Sequence, residues 1–407
     1  MLRAILVPFV LLAVGGLLAV GCKVPTRKCP PPELATSNLH EIDDADSCCA
    51  MANPNVLESL KETLGREPSD KLFRKGPPQN YLALSGGGVL GAFTVGVLCG
   101  WTESGKRPQF DVVTGISTGA LIATYAFLGS HYDQPLRDYY SDFGPKDVYR
   151  RRCALSILWS DSAVDNSPLR EKIEKAITCE VLAEVAEAHA EGRRLYIGTT
   201  NLDTKRLVIW DMGAIAASGR SDARKLYCDV ILASAAVPGF FPPVRIDVEI
   251  NGQHYEEMHV DGGTTAAVFF QPFMLNLGSD VRSRAGSSLW VIEAGKQFAD
   301  PACVRPRLLP IGTTALRTML DASARNDLSR LYTLALITGV NYNLASVPED
   351  FRTNVDPLSF DAKETRRLFD EGYRQGVGGR DWHTRLDNIG VDEDTVPRAG
   401  THFRAMP

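Results

Sequence analysis

No stretch of the 407 residues gathers lysine and arginine into a basic run of the kind that follows a nucleic-acid backbone, and the formal charge is −5. Nucleic acid is therefore not an expected partner. Nine cysteines are present, yet none forms a C-x-x-C pair and no cysteine pair stands near a histidine pair at zinc-finger spacing. A metal centre is accordingly not expected. The acidic cluster Asp43, Asp44 and Asp46 lacks the central glycine and terminal glutamate of a calcium loop, and reads as a solvated stretch. Internal repeats and low-complexity tracts are missing as well. What remains is a 44% hydrophobic chain with an ordinary charged fraction, long enough for one large α/β domain or two smaller ones around a sizeable core.

The N-terminus is a different material. Arg3 supplies a short positive region, Ala4 to Val20 is almost wholly apolar, and small residues precede Cys22. That is the order of a secretory signal over 1–21. Leu18-Ala19-Val20-Gly21-Cys22 resembles the bacterial lipobox, with Ala19 where Leu or Val is usual, so Cys22 is the expected lipidation site. An ordinary cleaved signal and an uncleaved anchor are the alternatives; Pro8, Gly15 and Gly16 interrupt the run, which barely reaches the ~20 residues needed to span a bilayer. The expected location is the cell envelope, lipid-anchored to a bacterial membrane. Export permits disulfides among Cys29, Cys48 and Cys49, whereas Cys99 and Cys228 fall in apolar helical segments and read as buried thiols.

Residues 22–78 are polar and proline-bearing and read as a tether, with one helix over Pro54 to Leu64. From about 79 to 385 the pattern becomes strand, glycine turn, helix, repeatedly; 386–407 is a polar tail. YLALS and FDVVTGI read as strands, each leading into an apolar helix. Ser167 caps a long helix with Pro168 just inside it. RLYIGTTNL and RLVIWD read as paired strands, VRIDVEI, EEMHVDGG and SSLWVIEAG as further strands, and 310–346 and 362–376 as mainly helical. Strands alternating with helices predict a three-layer α/β/α fold on a mostly parallel sheet.

Two motifs carry chemistry. In SGGGVLGAF, residues 85–93, Gly86, Gly88 and Gly91 match the G-x-G-x-x-G of dinucleotide folds. Asp111 lies 20 residues beyond Gly91, but it begins the next strand, where a ribose-binding acid would end it. That strand ends instead in Gly115-Ile116-Ser117-Thr118-Gly119, a G-x-S-x-G between strand and helix. Glycines two before and two after let the serine sit on a tight turn with its hydroxyl at the carboxyl edge of the sheet. A serine that merely caps the helix is the plainer alternative. With a nucleophile there, the glycine loop gains a second use: backbone N–H groups of Gly86, Gly87, Gly88 and Gly91 turned toward a developing oxyanion.

None of the seven histidines stands in a clear catalytic loop. His259 shares a strand face with Asp261, and its plainer reading is a structural histidine. Asp261, at a strand end and followed by Gly262 and Gly263, is the better base, provided burial raises its pKa. GGGVLG, GISTG and DGG, in that order, with ASAAVPGFFPPV at 233–244, resemble the patatin-like phospholipases from about residue 79 to about 290. The resemblance implies a Ser117–Asp261 dyad without histidine, an oxyanion hole from the glycine loop, no metal or organic cofactor, and lipid acyl-ester hydrolysis at a membrane surface. Leu90 departs from the Arg or Lys common in that family's loop, which widens the candidate substrates from phospholipids to neutral acyl esters. The runner-up is a non-catalytic envelope lipoprotein that binds lipid or a partner on the same fold; a third reading is a nucleotide-binding oxidoreductase.

Overall fold

Alternate residues of Asn80–Leu84 (β1) enter two different cores. Leu82 and Leu84 pack on one face of the sheet, Tyr81 and Ala83 on the other, and all four are fully buried. A strand buried on both faces needs helical layers above and below it. The computed structural model supplies them, and describes residues 27–31, 41–42, 77–141, 144–153, 159–250, 252–276, 284–353, 361–379 and 382–386. The expected signal, Cys22, the helix at Pro54 to Leu64, Cys48, Cys49 and nearly all of the C-terminal tail lie outside these residues.

The strands of four or more residues are β1, Val112–Ile116 (β2), Arg194–Asn201 (β3), Arg206–Asp211 (β4), Val244–Ile250 (β5), Gln253–Asp261 (β6), Ser288–Glu293 (β7) and Asn341–Ser346 (β8). The two-residue Glu41–Ile42 adds antiparallel at the edge beyond β4. The sheet runs β4-β3-β2-β1-β7-β8. The five strands from β3 to β8 are mutually parallel, and β4 adds antiparallel to β3. It is thus a mixed sheet, mostly parallel at its centre, as the alternation of strands and helices predicts. β8 corrects the sequence reading, which placed 341–346 within a helical region. Gly339, left-handed at φ 71°, ends the preceding helix and lets the chain turn back into the sheet.

One register decides where the site falls. β3 has eight residues, but β2 accompanies it only as far as Ile116 opposite Gly198. The next residues of β3, Thr199 to Asn201, take β6 instead, antiparallel, with Thr199 opposite Asp261. β2 and β6 therefore meet end to end against one strand. The residue leaving β2 is Ser117, and the residue ending β6 is Asp261.

Gly91–Glu103 (α1) follows the glycine loop, and Thr118–Leu128 (α2) follows Ser117. The helix expected from Ser167 is two helices. Asn166 holds the cap position of Ser167–Ala176 (α3), and Thr178 starts Cys179–Ala190 (α4), its hydroxyl accepting from the N–H of Val181 at 3.3 Å. Ala223–Ser234 (α5) leads to the proline segment, and Leu308–Thr338 (α6) and Ala362–Gly378 (α7) complete the layers. α7 lies on α1 through glycines on both sides. A Cβ at Gly96 or Gly100 would stand 2.1 or 2.2 Å from a carbonyl oxygen of α7, and one at Gly372 or Gly376 as close to a carbonyl of α1. Small residues four apart bring helices to backbone contact.

The start of the expected tether is docked. Arg27 donates to Asp203, with one contact at 2.7 Å, and the carbonyl of Lys28 accepts from the N–H of Glu256 at 3.0 Å. No helix of the described residues is long and apolar enough to cross a membrane. Cys228 is buried and Cys99 only half-buried, while Cys29 is exposed and outside any disulfide among the described residues.

Candidate active site

Ser117 holds φ 53° and ψ −121°, a left-handed conformation rare for a side-chain-bearing residue. Such a residue is strained by ~1–3 kcal/mol and persists only where its surroundings fix it. The two elbow glycines make the turn possible. A Cβ at Gly115 would stand 2.6 Å from the carbonyl oxygen of Gly119, and one at Gly119 would stand 2.5 Å from that of Leu84. The N–H of Ser117 donates to the hydroxyl of Ser234 at 3.0 Å, and that hydroxyl donates to the carbonyl of Gly198 at 2.6 Å. The end of α5 is thereby bolted to the elbow and to β3.

The Ser117 hydroxyl donates to Oδ2 of Asp261 at 2.6 Å. Oδ1 of Asp261 accepts from the N–H of Gly263 at 2.7 Å, and the Asp261 N–H donates to the carbonyl of Ala236, inside the proline segment. Both side chains are nearly closed to solvent, at 8% and 5%. Burial pushes the Asp261 carboxyl up to about 6, against the opposing pull of the Ser117 and Gly263 hydrogen bonds. Gly262 is needed for close approach, since a Cβ there would meet the carbonyl oxygen of Gly198 at 2.6 Å. The contact of Gly263 with the carboxylate is through its backbone.

The glycine loop divides its work. Gly86 presents a bare Cα to the serine, where a Cβ would lie 3.1 Å from that of Ser117. Its N–H donates to the carbonyl of Ala267 at 3.0 Å. The N–H of Gly91 is held by the carbonyls of Gly88 and Val89, and a Cβ there would strike the Thr118 hydroxyl. Both amides are committed, so Gly86 and Gly91 are corrected from oxyanion donors to residues of close approach. Gly87 and Gly88 are not committed in this way. Gly88 is left-handed at φ 58° and opens a single helical turn, whose first N–H has no acceptor within that turn. The N–H of Gly87 has no acceptor among the described residues. Leu90 packs half-buried against the core.

His259 does not reach Ser117. Its Nδ1 bonds the Thr199 hydroxyl at 2.9 Å and its Nε2 bonds Glu257 at 3.1 Å, inside a fully buried cluster that also holds the Trp210 indole. Sequence reasoning missed the layer behind the loop. The Ser85 hydroxyl donates to the carbonyl of Gly86 and accepts from the N–H of Ala294, both at 2.8 Å, tying the loop to the end of β7. Beside it the Glu293 carboxyl is pushed up to about 8 by burial, and the nearby Asp327 and Asp321 add to the rise. Asp327, on α6, accepts from the N–H of Ala267 at 2.8 Å. Among the described residues no group of three or more His, Cys, Asp or Glu could hold a metal ion.

Comparison with known proteins follows the same outline. The patatin-like phospholipase family model matches residues 82–274, from inside β1 to beyond the Asp261 turn. The chain is similar to that family over those residues, which make up just under half of its length. It is 26% identical over 244 residues to Patatin-T5 of Solanum tuberosum, covering 56% of this chain and 59% of that one. It is 30% identical over 182 residues to a cGAMP-activated phospholipase of Escherichia coli (strain TW11681), covering 41% and 48%. The chain thus spans about half the length of the curated relatives it matches. Among solved structures, VipD from Legionella pneumophila aligns over 78% of this chain and 72% of its own at 14% identity, with a TM-score of 0.37. Ser117, Asp261 and the glycine loop all fall inside the matched residues.

Proposed function

We propose that this protein is a serine acyl hydrolase that cleaves lipid ester bonds through Ser117 and Asp261. The observation that carries the reading is the 2.6 Å hydrogen bond from a strained, buried serine hydroxyl to a buried carboxylate. The Asp261 carboxylate takes the proton as Ser117 Oγ bonds to the ester carbonyl carbon. The carbonyl oxygen, now negative, is met by the N–H groups of Gly87 and Gly88, with the N-terminal end of α2 adding a favourable dipole. As the intermediate collapses, Asp261 returns the proton to the departing alcohol oxygen, leaving an acyl-serine. Water then repeats the sequence and releases the fatty acid. A carboxyl near 6 suits this task, being ionised at neutral pH yet a better base than an ordinary aspartate.

The family match supports a lipid ester as substrate, and Leu90 keeps neutral acyl esters beside phospholipids as candidates. The signal-like N-terminus and Cys22 support export and lipid anchoring; a mature terminus without lipid, read by mass spectrometry, would remove that part. Turnover of short p-nitrophenyl esters and of phospholipid by wild type, Ser117→Ala and Asp261→Asn tests the chemistry. Both variants should lose activity by roughly a thousandfold or more while keeping their circular dichroism. Equal turnover by all three would end the dyad reading.

A further inference from the structure

α6 has 31 residues, and at 1.5 Å per residue it is about 46 Å long. The six-residue strand β8 that follows it covers only about 20 Å. The C-terminal half of α6 accounts for the match, burying Leu328, Leu331 and Ala335 against the sheet. Because the helix runs back to the start of β8, its N-terminal half overshoots the opposite edge, the carboxyl edge where Ser117 and Asp261 lie. Around the crossover point Asp327 bonds Ala267, and Arg325 lies over the ring of Phe298.

The overshooting half is apolar in an unusual way. Leu308 is 85% exposed, Met319 68%, and Ile311 and Leu316 each 53%. At 100° per residue these four fall within one half of the circumference, and Thr314 and Arg317 fall on the other. From Ala302 to Leu320 the chain carries Arg305, Arg307 and Arg317 and no acidic residue, in a protein whose formal charge is −5. An apolar face beside three arginines, with the nearest acidic residue, Asp321, just beyond it on the helix's other face, has the composition of a helix that lies in the headgroup region of an anionic bilayer.

We propose that the N-terminal half of α6, with the Arg305–Arg307 segment before it, is a lipid-docking element that seats the carboxyl edge of the sheet on an anionic membrane surface. The inference deepens the acyl-hydrolase reading of the same edge, but its observations stand apart from the chemistry at Ser117. The packed half of the same helix holds Asp327, which fixes Ala267, whose carbonyl in turn accepts from Gly86. The element that meets lipid is therefore joined to the glycine loop by two consecutive hydrogen bonds.

The test uses the full-length chain with Ser117→Ala, so that binding is read without turnover. Tryptophan is introduced by Ile311→Trp or, on the packed half, by Leu336→Trp. Each is titrated with vesicles of brominated phosphatidylcholine, alone or with about one third phosphatidylglycerol. The emission of Ile311→Trp, taken as the difference from the parent, should shift to the blue and be quenched, with partition roughly tenfold stronger on the anionic vesicles and weakened by salt. Adding Leu308→Asp and Met319→Asp should abolish the response, and Leu336→Trp should show none. An N-terminal anchor alone would carry the protein to both kinds of vesicle while leaving residue 311 unquenched; that result overturns the proposal. So does emission already blue-shifted without vesicles, which would mean that another part of the chain or a second copy covers the face. If Ile311→Trp is quenched but the wild type hydrolyses no ester, the docking element stands and the catalytic reading falls.

Discussion

A carboxyl held at about 6 instead of its ordinary 3.8 has opposite consequences for activity and for stability. Catalysis needs the ionised form, so kcat/KM should rise with pH along an acid limb centred near 6; a limb near 4 would mean that the base is not buried Asp261. Stability runs the other way. The folded state favours the protonated form, so the stability that proton contributes is complete below the unfolded value and is lost as pH rises through about 6. Above that, ionised Asp261 costs about 3 kcal/mol by linkage. The melting temperature of Asp261→Asn relative to wild type should therefore move in the variant's favour between pH 4 and pH 8, as differential scanning calorimetry can read. His259→Ala should behave differently again, lowering stability by removing a buried partner of Thr199 and Glu257 while leaving kcat per folded molecule within a fewfold. At this scale the sequence exposed Ser117 and Asp261 because each stands among glycines that a strand would otherwise not tolerate. It concealed Ser85, Ser234 and Glu293, whose side chains reach partners far off in the sequence, such as Ala294 for Ser85 and Gly198 for Ser234, with no local pattern to mark them.

Among elements, β3 is the template that brings the site together, since its last three residues trade one neighbouring strand for another. The strand-to-helix turn beside it has no spare room. Gly119→Ala should cost roughly 3 kcal/mol or more, because its Cβ has backbone oxygens at 2.5 and 2.7 Å and nothing flexible to move. Gly312→Ala is the matched opposite: an exposed helical position with nothing within 4 Å of a new Cβ, expected to be neutral or to stabilise by about 0.5–1 kcal/mol. Thermal melts of the two variants check both. Most elements were legible from alternating apolar residues and glycine turns, including the antiparallel pair β3–β4. β8 was not, because Asn341 to Ser346 follows a long helical pattern and only Gly339 marks the break. The glycine contacts between α1 and α7 were hidden for another reason, as the two helices are more than 250 residues apart and each looks merely glycine-rich alone.

Over the whole molecule, one edge of the sheet gathers the residues of the proposed site. The elbow, the Asp261 turn and the glycine loop open there, and the exposed, arginine-flanked half of α6 projects past it. An enzyme whose ester bonds lie in a membrane gains from such an arrangement, since the docking surface and the nucleophile face the same way. Wild-type protein should accordingly hydrolyse vesicle-borne ester faster when anionic lipid is added, with little change on a soluble p-nitrophenyl ester. The most direct test of the central claim is covalent. Wild-type protein treated with a fluorophosphonate and digested should carry one phosphonyl adduct, on the peptide containing Ser117, and Asp261→Asn should acquire it far more slowly. An unlabelled Ser117 in folded protein, or an adduct settled on another serine, would contradict the account.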